Sequence, residues 1–551
     1  MQKLLLLGDE AIAQGAIDAG LSGVYAYPGT PSTEITEYVQ RSKEAEQRNI
    51  RSDWSANEKT AMEAAIGMSY AGKRAMVCMK HVGLNVAADA FVNSGITGAN
   101  GGLVIVSADD PSMHSSQNEQ DSRFYGKFAM VPTLEPHDQQ QAYDMMHYAF
   151  DISERLGTPV LIRLVTRLAH SRAGIVRKES IREQNQLTLP TDLKQYILLP
   201  ALARKRYRKL VDKQERFLER SEKDGYNAYF EGTDKSYGII VSGLAYNYLM
   251  ENFPDRKIPQ PVLRVNQYPV PENMVRRMDE EVDEFLVIEE GYPFIEEQLK
   301  GLLSKDIKVK GRLDGTLPFA GELNPNIIAK ALGKENTYGV DVPSFVAARP
   351  PELCAGCPHI DSFNALNEAM KQYGEGKVFS DIGCYTLGAL PPFNAINSCV
   401  DMGASVTMAK GSADAGLTPS VAVIGDSTFT HSGMTGLLDA VNDQSNIVLI
   451  ILDNATTAMT GGQHSSALNH LEEICKGIGV DEDHIRVIKP LPKRHEENTK
   501  VFREELEYDG VSVIIPRREC IQTLNRRMRA KAKARKKEES KKQSAQQTEK
   551  R

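Results

Sequence analysis

Apolar runs alternate along the chain with stretches in which hydrophobic side chains recur every three or four positions. Over residues 1–180 the runs "GVYAYPG", "RAMVCM", "GGLVIVSAD" and "TPVLIRLV" read as strands. "NEKTAMEAAIGMSYAG" and "DQQQAYDMMHYAFDISERLG" read as helices. Strand–helix alternation of this kind predicts a parallel α/β sheet with helices on both faces. Residues 190–225 are dense in both charges at helical spacing and predict an exposed connecting helix. A second, smaller α/β block opens at "SYGIIVSGLAYNYLMENF", continues through "DEFLVIEEGYPFIEEQLKGLL" and closes near residue 315. A connector rich in Pro and Gly leads to a third block, whose runs "VAVIGD", "NIVLIILDN" and "GVSVIIP" predict strands buried on both faces. The expected divisions are 1–190, a charged helical linker 191–229, 230–315, a connector 316–344, 345–520, and a tail 521–551 with no core-forming pattern and expected disorder.

Composition narrows the class. The chain has 551 residues, 41% hydrophobic and 25% charged, which suits a multidomain globular protein. No apolar run approaches the 18 or more residues of a membrane span. The N-terminal four-Leu stretch meets Gly8-Asp9-Glu10 too soon for a signal peptide. Seven Cys, an odd number in so long a chain, fit a reducing cytoplasm better than a disulfide framework. The net charge of −7 is uneven: from Arg526 onward, 12 Lys/Arg face 3 acidic residues, a net of +9. A tail of that kind is either a solvated helical end or a segment that binds nucleic acid or an acidic partner. The folded blocks lack basic patches interleaved with aromatics, which argues against nucleic acid.

The densest chemistry lies in "VAVIGDSTFTHSGMTGLLDAVNDQSNIVLIILDNATTAMTGGQ". It reads as a strand (421–424), a tight turn (425–433), a helix (434–443) and a second strand (447–452), a right-handed βαβ unit with parallel strands. Asp426 and Asn454 then sit at the carboxyl ends of their strands, where open α/β sheets bind ligands. A carboxylate, an amide oxygen and the Thr456 carbonyl are hard oxygen donors suited to Mg²⁺. Gly425 and the Ser427 N–H lie where a helix start can meet phosphate oxygens. Helix capping by Asp426 and a turn at Asn454 account for the same spacing without a ligand.

Seven motifs in order resolve that choice: "YPGTPSTEI", "NEK…E", "MKHVGLNVAADA", "LCAGCPH", "DIGCYTLGALPP", "GDSTFTHSG" and "LDNATTAMTG". From about residue 5 to 520 the chain resembles the 2-oxoacid:ferredoxin oxidoreductases, and among them the large subunits acting on indolepyruvate. The resemblance implies a thiamine diphosphate (TPP)-binding fold: two doubly wound parallel-sheet domains, one for the pyrimidine and one for the diphosphate, plus a smaller transketolase-C-like α/β domain. TPP with Mg²⁺ is expected between the first and third blocks, Mg²⁺ being held by Asp426, Asn454 and Thr456. The implied activity is CoA-dependent oxidative decarboxylation of aryl 2-oxo acids such as indolepyruvate, phenylpyruvate and 4-hydroxyphenylpyruvate. A non-oxidative TPP-dependent decarboxylase or carboligase, and a non-catalytic scaffold, are the rival readings.

Residue roles follow from the same resemblance. Glu58 is expected to exchange a proton with the aminopyrimidine; a helix-start glutamate favoured by the dipole is the plain alternative. Thr30 and Arg123 are expected to contact substrate, Arg123 by forking its carboxylate, the alternatives being a turn and a surface salt bridge with Glu119 and Asp121. His81 is expected to act near the substrate, against a structural histidine. Cys357, His359 and Cys384 are expected in loops touching TPP. A metal site of Cys354, Cys357, Cys384 and Cys399, or plain buried thiols, stays open. Large subunits of this kind usually end in a ferredoxin-like domain with two [4Fe–4S] clusters, whereas only Cys520 stands near that junction. The clusters are therefore expected in a partner. The expected assembly is a dimer of heterodimers with a smaller β-type subunit, cytoplasmic and delivering electrons to ferredoxin.

Overall fold

The computed structural model describes residues 2–302, 308–335, 342–347 and 351–533. They form two compact units, residues 1–342 and 343–551. Part of the expected connector (336–341) and the tail from residue 534 lie outside the described residues.

The first unit is built on a seven-stranded sheet in the order Gln267–Tyr268, Thr133–Leu134, Val160–Val165, Leu103–Asp109, Ala75–Lys80, Gly23–Ala26, Arg51–Trp54. Every pairing is parallel except that of Gln267–Tyr268 with Thr133–Leu134. The four strands expected from apolar runs are all present, and Leu103–Asp109 is buried throughout. The strand Arg51–Trp54 carries no apolar alternation because it is an outer edge, exposed at Arg51. Helices Gly8–Asp18 and Gln139–Leu156 cover one face through Ile12, Ile17, Tyr143 and Phe150. Helices Glu58–Tyr70 and His81–Thr97 cover the other through Met62, Ala65, Leu84 and Phe91.

The smaller block belongs to the same unit. Its five-stranded sheet runs Lys308–Lys310, Glu284–Ile288, Gly238–Ser242, Val262–Val265, Ala228–Phe230. Just beyond Val265, Gln267–Tyr268 leaves that sheet and becomes the edge of the large one. The helix Pro200–Lys223 is exposed on most of its surface, as expected, yet Arg206, Leu210, Phe217 and Ser221 form one buried stripe. Their spacing of four, seven and four is a single face of a helix, diluted in the sequence by charges on every other side.

The second unit is a five-stranded all-parallel sheet, Val378–Ser380, Val421–Gly425, Ile447–Leu452, Val511–Pro516, Ile485–Ile488. Helices Pro358–Met370 and His495–Glu507 lie on one face, and Ala404–Asp414, Met434–Asn442 and Leu471–Ile478 on the other. The expected turn at 425–433 is helical instead. A helix starts at Asp426, loosens into a π-turn over Phe429–Gly433 and continues as Met434–Asn442. Residues 521–533 are also helical.

Candidate active site

In the second unit Gly425 and Leu452 are register partners on adjacent parallel strands, so Asp426 and Asn454 leave the sheet side by side. The Asp426 carboxylate is buried and accepts the Ser427 N–H at 2.9 Å on Oδ1, while Oδ2 has no partner. Burial, with Asp453 nearby, pushes its carboxyl up to about 7. A buried acceptor left unmade is costly unless a ligand supplies the missing interaction. A cation is such a ligand, and this donor fits Mg²⁺. Asn454 turns its Oδ1 to the Thr456 N–H at 3.0 Å, with Ala455 at φ 63° between them. That bond fixes the amide, whose Nδ2 donates to His359 Nε2 at 3.3 Å. His359 is buried and burial pulls its ring down to about 4, so it is neutral and accepts. Thr456 is buried, and Ser427 Oγ meets Thr457 Oγ1 at 2.9 Å. A side chain at Gly425 would meet the Tyr385 ring at 2.6 Å. The structure thus brings Gly425, Asp426, Ser427, Asn454, Thr456 and His359 into one neighbourhood.

Beside them is a cavity of about 130 Å³ lined by Cys354, Cys357, His359, Cys384, Asn454 and Cys520, among others. Cys520 was not expected here. The strand Val511–Pro516 lies next to Ile447–Leu452, so Arg517 bridges to Asp453 and the Cys520 N–H donates to the Asn454 carbonyl at 3.1 Å. Sheet topology, not spacing, returns it. Cys399, expected in a possible four-Cys set, is exposed, with Sγ 4.0 Å from Thr386 Oγ1, and does not line the cavity. Burial pushes the Cys357 thiol up to about 11 and the Cys384 thiol up to about 12, and neighbouring cysteines add to both shifts. Thiols that discourage one another's ionisation become ligands once a positive centre is supplied. Among the described residues, no three of these sulfurs lie within the 4.8 Å of one another that would mark a one-metal site.

In the first unit the carboxyl ends of Gly23–Ala26 and Ala75–Lys80 carry the corresponding residues. Glu58 opens its helix behind Asn57, which caps the Thr60 N–H at 2.9 Å. The Glu58 side chain is buried against Gly83, where a Cβ would stand 2.5 Å from Oε1. Only a residue without a side chain leaves that carboxylate its place. Lys80, which sequence reasoning passed over, completes the cluster. Burial lowers its amine to about 8 against the pull of Asp110 and Glu58, and Nζ donates to the Ser115 carbonyl at 2.6 Å. Ser115 Oγ donates in turn to the carbonyl of half-buried Thr30 at 3.3 Å. His81 is buried, its Nε2 3.2 Å from the Asn118 carbonyl and its Nδ1 without a partner.

Arg123 does not belong to this cluster. It is wholly buried and its guanidinium is fully engaged. Nε binds Asp121 at 2.9 Å, and Nη1 meets Glu289 at 2.9 Å, Tyr268 Oη at 3.2 Å and Ser242 Oγ at 3.3 Å. Nη2 reaches Asp121 together with the Glu290 and Tyr292 carbonyls at 3.0 and 3.1 Å. No donor is left for a substrate carboxylate, so the expected substrate role is withdrawn. The Asp121 pairing seen in the sequence is real but lies in the interior, where it joins the small block to the large sheet.

A doubly wound fold with an unsatisfied carboxylate and an amide at adjacent strand ends is the arrangement of a TPP-binding enzyme. The comparisons agree. Residues 14–216 match the pyruvate flavodoxin/ferredoxin oxidoreductase thiamine diphosphate-binding family, and residues 381–515 match the C-terminal TPP-binding domain of thiamine pyrophosphate enzymes. An indolepyruvate oxidoreductase subunit IorA from Archaeoglobus fulgidus is 40% identical over 94% of this chain and 86% of its own length. The subunit of the same name from Methanothermobacter thermautotrophicus is 38% identical over 94% and 87%. The chain belongs to the indolepyruvate oxidoreductase subunit IorA family, and so to the TPP-dependent 2-oxoacid oxidoreductases. The fold is shared with a 2-oxoglutarate:ferredoxin oxidoreductase from Magnetococcus marinus, at 18% identity and a TM-score of 0.50 over 60% of this chain and 65% of that one. Among the described residues, no helix is long and apolar enough to cross a membrane.

Proposed function

We propose that this chain, with a smaller second subunit, catalyses CoA-dependent oxidative decarboxylation of aryl 2-oxo acids, indolepyruvate above all, and passes the electrons to ferredoxin. The observation that carries the reading is the pairing of Asp426, with its unpartnered Oδ2, and a cavity lined by four thiols on the same strand ends. The cation-binding carboxylate serves any TPP enzyme, whereas thiols able to ligate an iron–sulfur centre beside it serve an oxidative reaction and have no part in a non-oxidative decarboxylation. The aryl preference rests on the names of the relatives.

TPP, when bound, supplies the nucleophilic carbon and the temporary electron sink. Asp426, Asn454 and the Thr456 carbonyl would hold Mg²⁺, and Gly425 would let the diphosphate approach, while the Ser427 N–H is held by Asp426 Oδ1. Neutral His359 keeps the Asn454 amide oriented, with its oxygen toward the Thr456 N–H, in the position from which it would reach a metal. Glu58 exchanges the proton that activates the cofactor ring. Lys80 and Thr30 line the substrate side, and His81 offers an unpaired ring nitrogen there. Cys354, Cys357, Cys384 and Cys520 bind an iron–sulfur cluster within this chain, in place of the wholly partner-borne clusters expected from sequence.

The test is anaerobic viologen reduction by the chain co-purified with its partner, in TPP, Mg²⁺ and indolepyruvate. CoA-dependent reduction that falls about 10²–10⁴-fold in Glu58→Gln, with TPP still bound, is the expected result. Full activity in that variant would remove Glu58 from the mechanism.

A further inference from the structure

Away from these residues, the first unit holds a second constellation of metal-ligating side chains. Asp9, Glu34 and His170 each present one donor atom, and the three donors lie within 4.8 Å of one another. They come from three elements: the helix Gly8–Asp18, the first turn of the helix Thr33–Arg41, and the end of the helix Thr166–His170. The convergence depends on close approach, since a Cβ on Gly8 would stand 2.3 Å from the Leu168 carbonyl oxygen.

Asp9 is the independent sign that the cluster serves a ligand. It is completely buried, and among the described residues neither carboxylate oxygen has a hydrogen-bond partner. Glu34 and His170 do approach each other, Oε2 to Nε2, at 3.5 Å, the outer limit of a hydrogen bond. Both are about one-third exposed, so the cluster opens to solvent on their side and is closed on the side of Asp9. Burial, with Glu34 and Glu10 beside it, drives the Asp9 carboxyl well above its ordinary range. A cation is what would make that group a stable carboxylate.

We propose that Asp9, Glu34 and His170 form a binding site for a divalent first-row metal ion, separate from the cofactor's Mg²⁺, with water in the remaining positions. Two carboxylate oxygens and one imidazole nitrogen are a mixed donor set that suits Mn²⁺ or Zn²⁺ better than Ca²⁺. Bonds of about 2.0–2.2 Å place donors on opposite sides of an ion roughly 4 Å apart. An ion bound there would draw in three donors that already lie within 4.8 Å of one another. The ion would tie the starts of the first two helices to the segment after Val160–Val165, at the rim of the sheet that also carries Thr30.

The experiment is an electron paramagnetic resonance titration of the full chain, free of TPP, with Mn²⁺, which thiols bind poorly. Bound Mn²⁺ is read as loss of the six-line aquo signal. One tight site is expected in the unaltered chain and in Asp426→Asn, and none in the near-isosteric Asp9→Asn. Mn²⁺ should raise the melting temperature of the first two and leave the third unmoved. Glu34→Gln and His170→Gln, changed at half-exposed positions, keep the test open should Asp9→Asn fail to fold. Each should weaken Mn²⁺ by at least the roughly 10–100-fold that loss of an outer-shell partner costs. Equal titrations in the unaltered chain and all three variants, or a site lost only in Asp426→Asn, would overturn the proposal.

Discussion

Two buried aspartates, one in each unit, show how differently a protein uses an interior charge. Asp121 and Asp426 are both buried, and to nearly the same depth. Burial pushes the Asp121 carboxyl up, but Arg123 and Arg163 outweigh it and hold the group below its ordinary value. Burial and Asp453 outweigh the hydrogen-bond donors around Asp426 and hold it raised at about 7. The first is closed on every side and is scaffold. The second keeps an open oxygen and is a binding site. Depth of burial therefore says little about function, whereas the state of the partner atoms says a great deal.

The comparison is broken most forcefully at Arg123. Arg123→Met should leave buried Asp121 with Arg163 as its remaining cation and Glu289 with only backbone N–H partners, and cost about 3–5 kcal/mol of stability, measured by denaturant unfolding. A substrate-binding arginine would instead raise KM and leave unfolding unchanged. Asp426→Asn should act in the opposite sense. TPP and Mg²⁺ affinity, read by tryptophan-independent calorimetry, should fall about 100-fold, the upper part of the range for disturbed metal sites. The cofactor-free chain should lose no stability, because a strained buried carboxylate becomes a neutral amide.

The pH dependence sharpens the contrast. Asp426 is raised, so it binds its proton more tightly in the folded chain than in the unfolded one. Its contribution to stability is favourable at low pH and is lost as pH climbs from about 4 to about 7. Asp121 is lowered, so its contribution is present above the ordinary carboxylate range and is lost as pH falls through it. Subtracting the Asp426→Asn unfolding curve from that of the cofactor-free parent should isolate the first trend. Cofactor affinity should also fall about tenfold per pH unit below 7, since Mg²⁺ needs the ionised form. A flat affinity between pH 5.5 and 7 (roughly one proton's range around that value) would contradict the assignment. The smallest effect belongs to Cys399→Ser, which should leave iron and labile sulfide unchanged in anaerobically prepared protein while Cys520→Ser lowers both.

Much of the fold was legible because buried parallel strands write continuous apolar runs; Leu103–Asp109 and Ile447–Leu452 declared themselves in that way. The strand Arg51–Trp54 did not, since an edge need not be apolar. Asp426 and Asn454 were legible because one βαβ unit fixes their separation. Cys520 was not, because its return depends on the order of strands that are distant in sequence. Arg123 was misplaced for a related reason. Its local neighbours Glu119 and Asp121 suggest a surface pair, whereas the groups that enclose it, Ser242, Tyr268 and Glu289, come from the small block. Lys80 carries its signal only through burial beside Glu58 and Asp110, which no spacing rule reveals.

The most direct measurement is the product balance from one aryl 2-oxo acid under anaerobic conditions, using the assembled enzyme with TPP, Mg²⁺, CoA and an excess of one-electron acceptor. The account predicts aryl-acetyl-CoA equal to the CO₂ released, with two acceptor molecules reduced for each. Free aldehyde matching the CO₂, with the acceptor left oxidised, would contradict it and make the chain a non-oxidative decarboxylase.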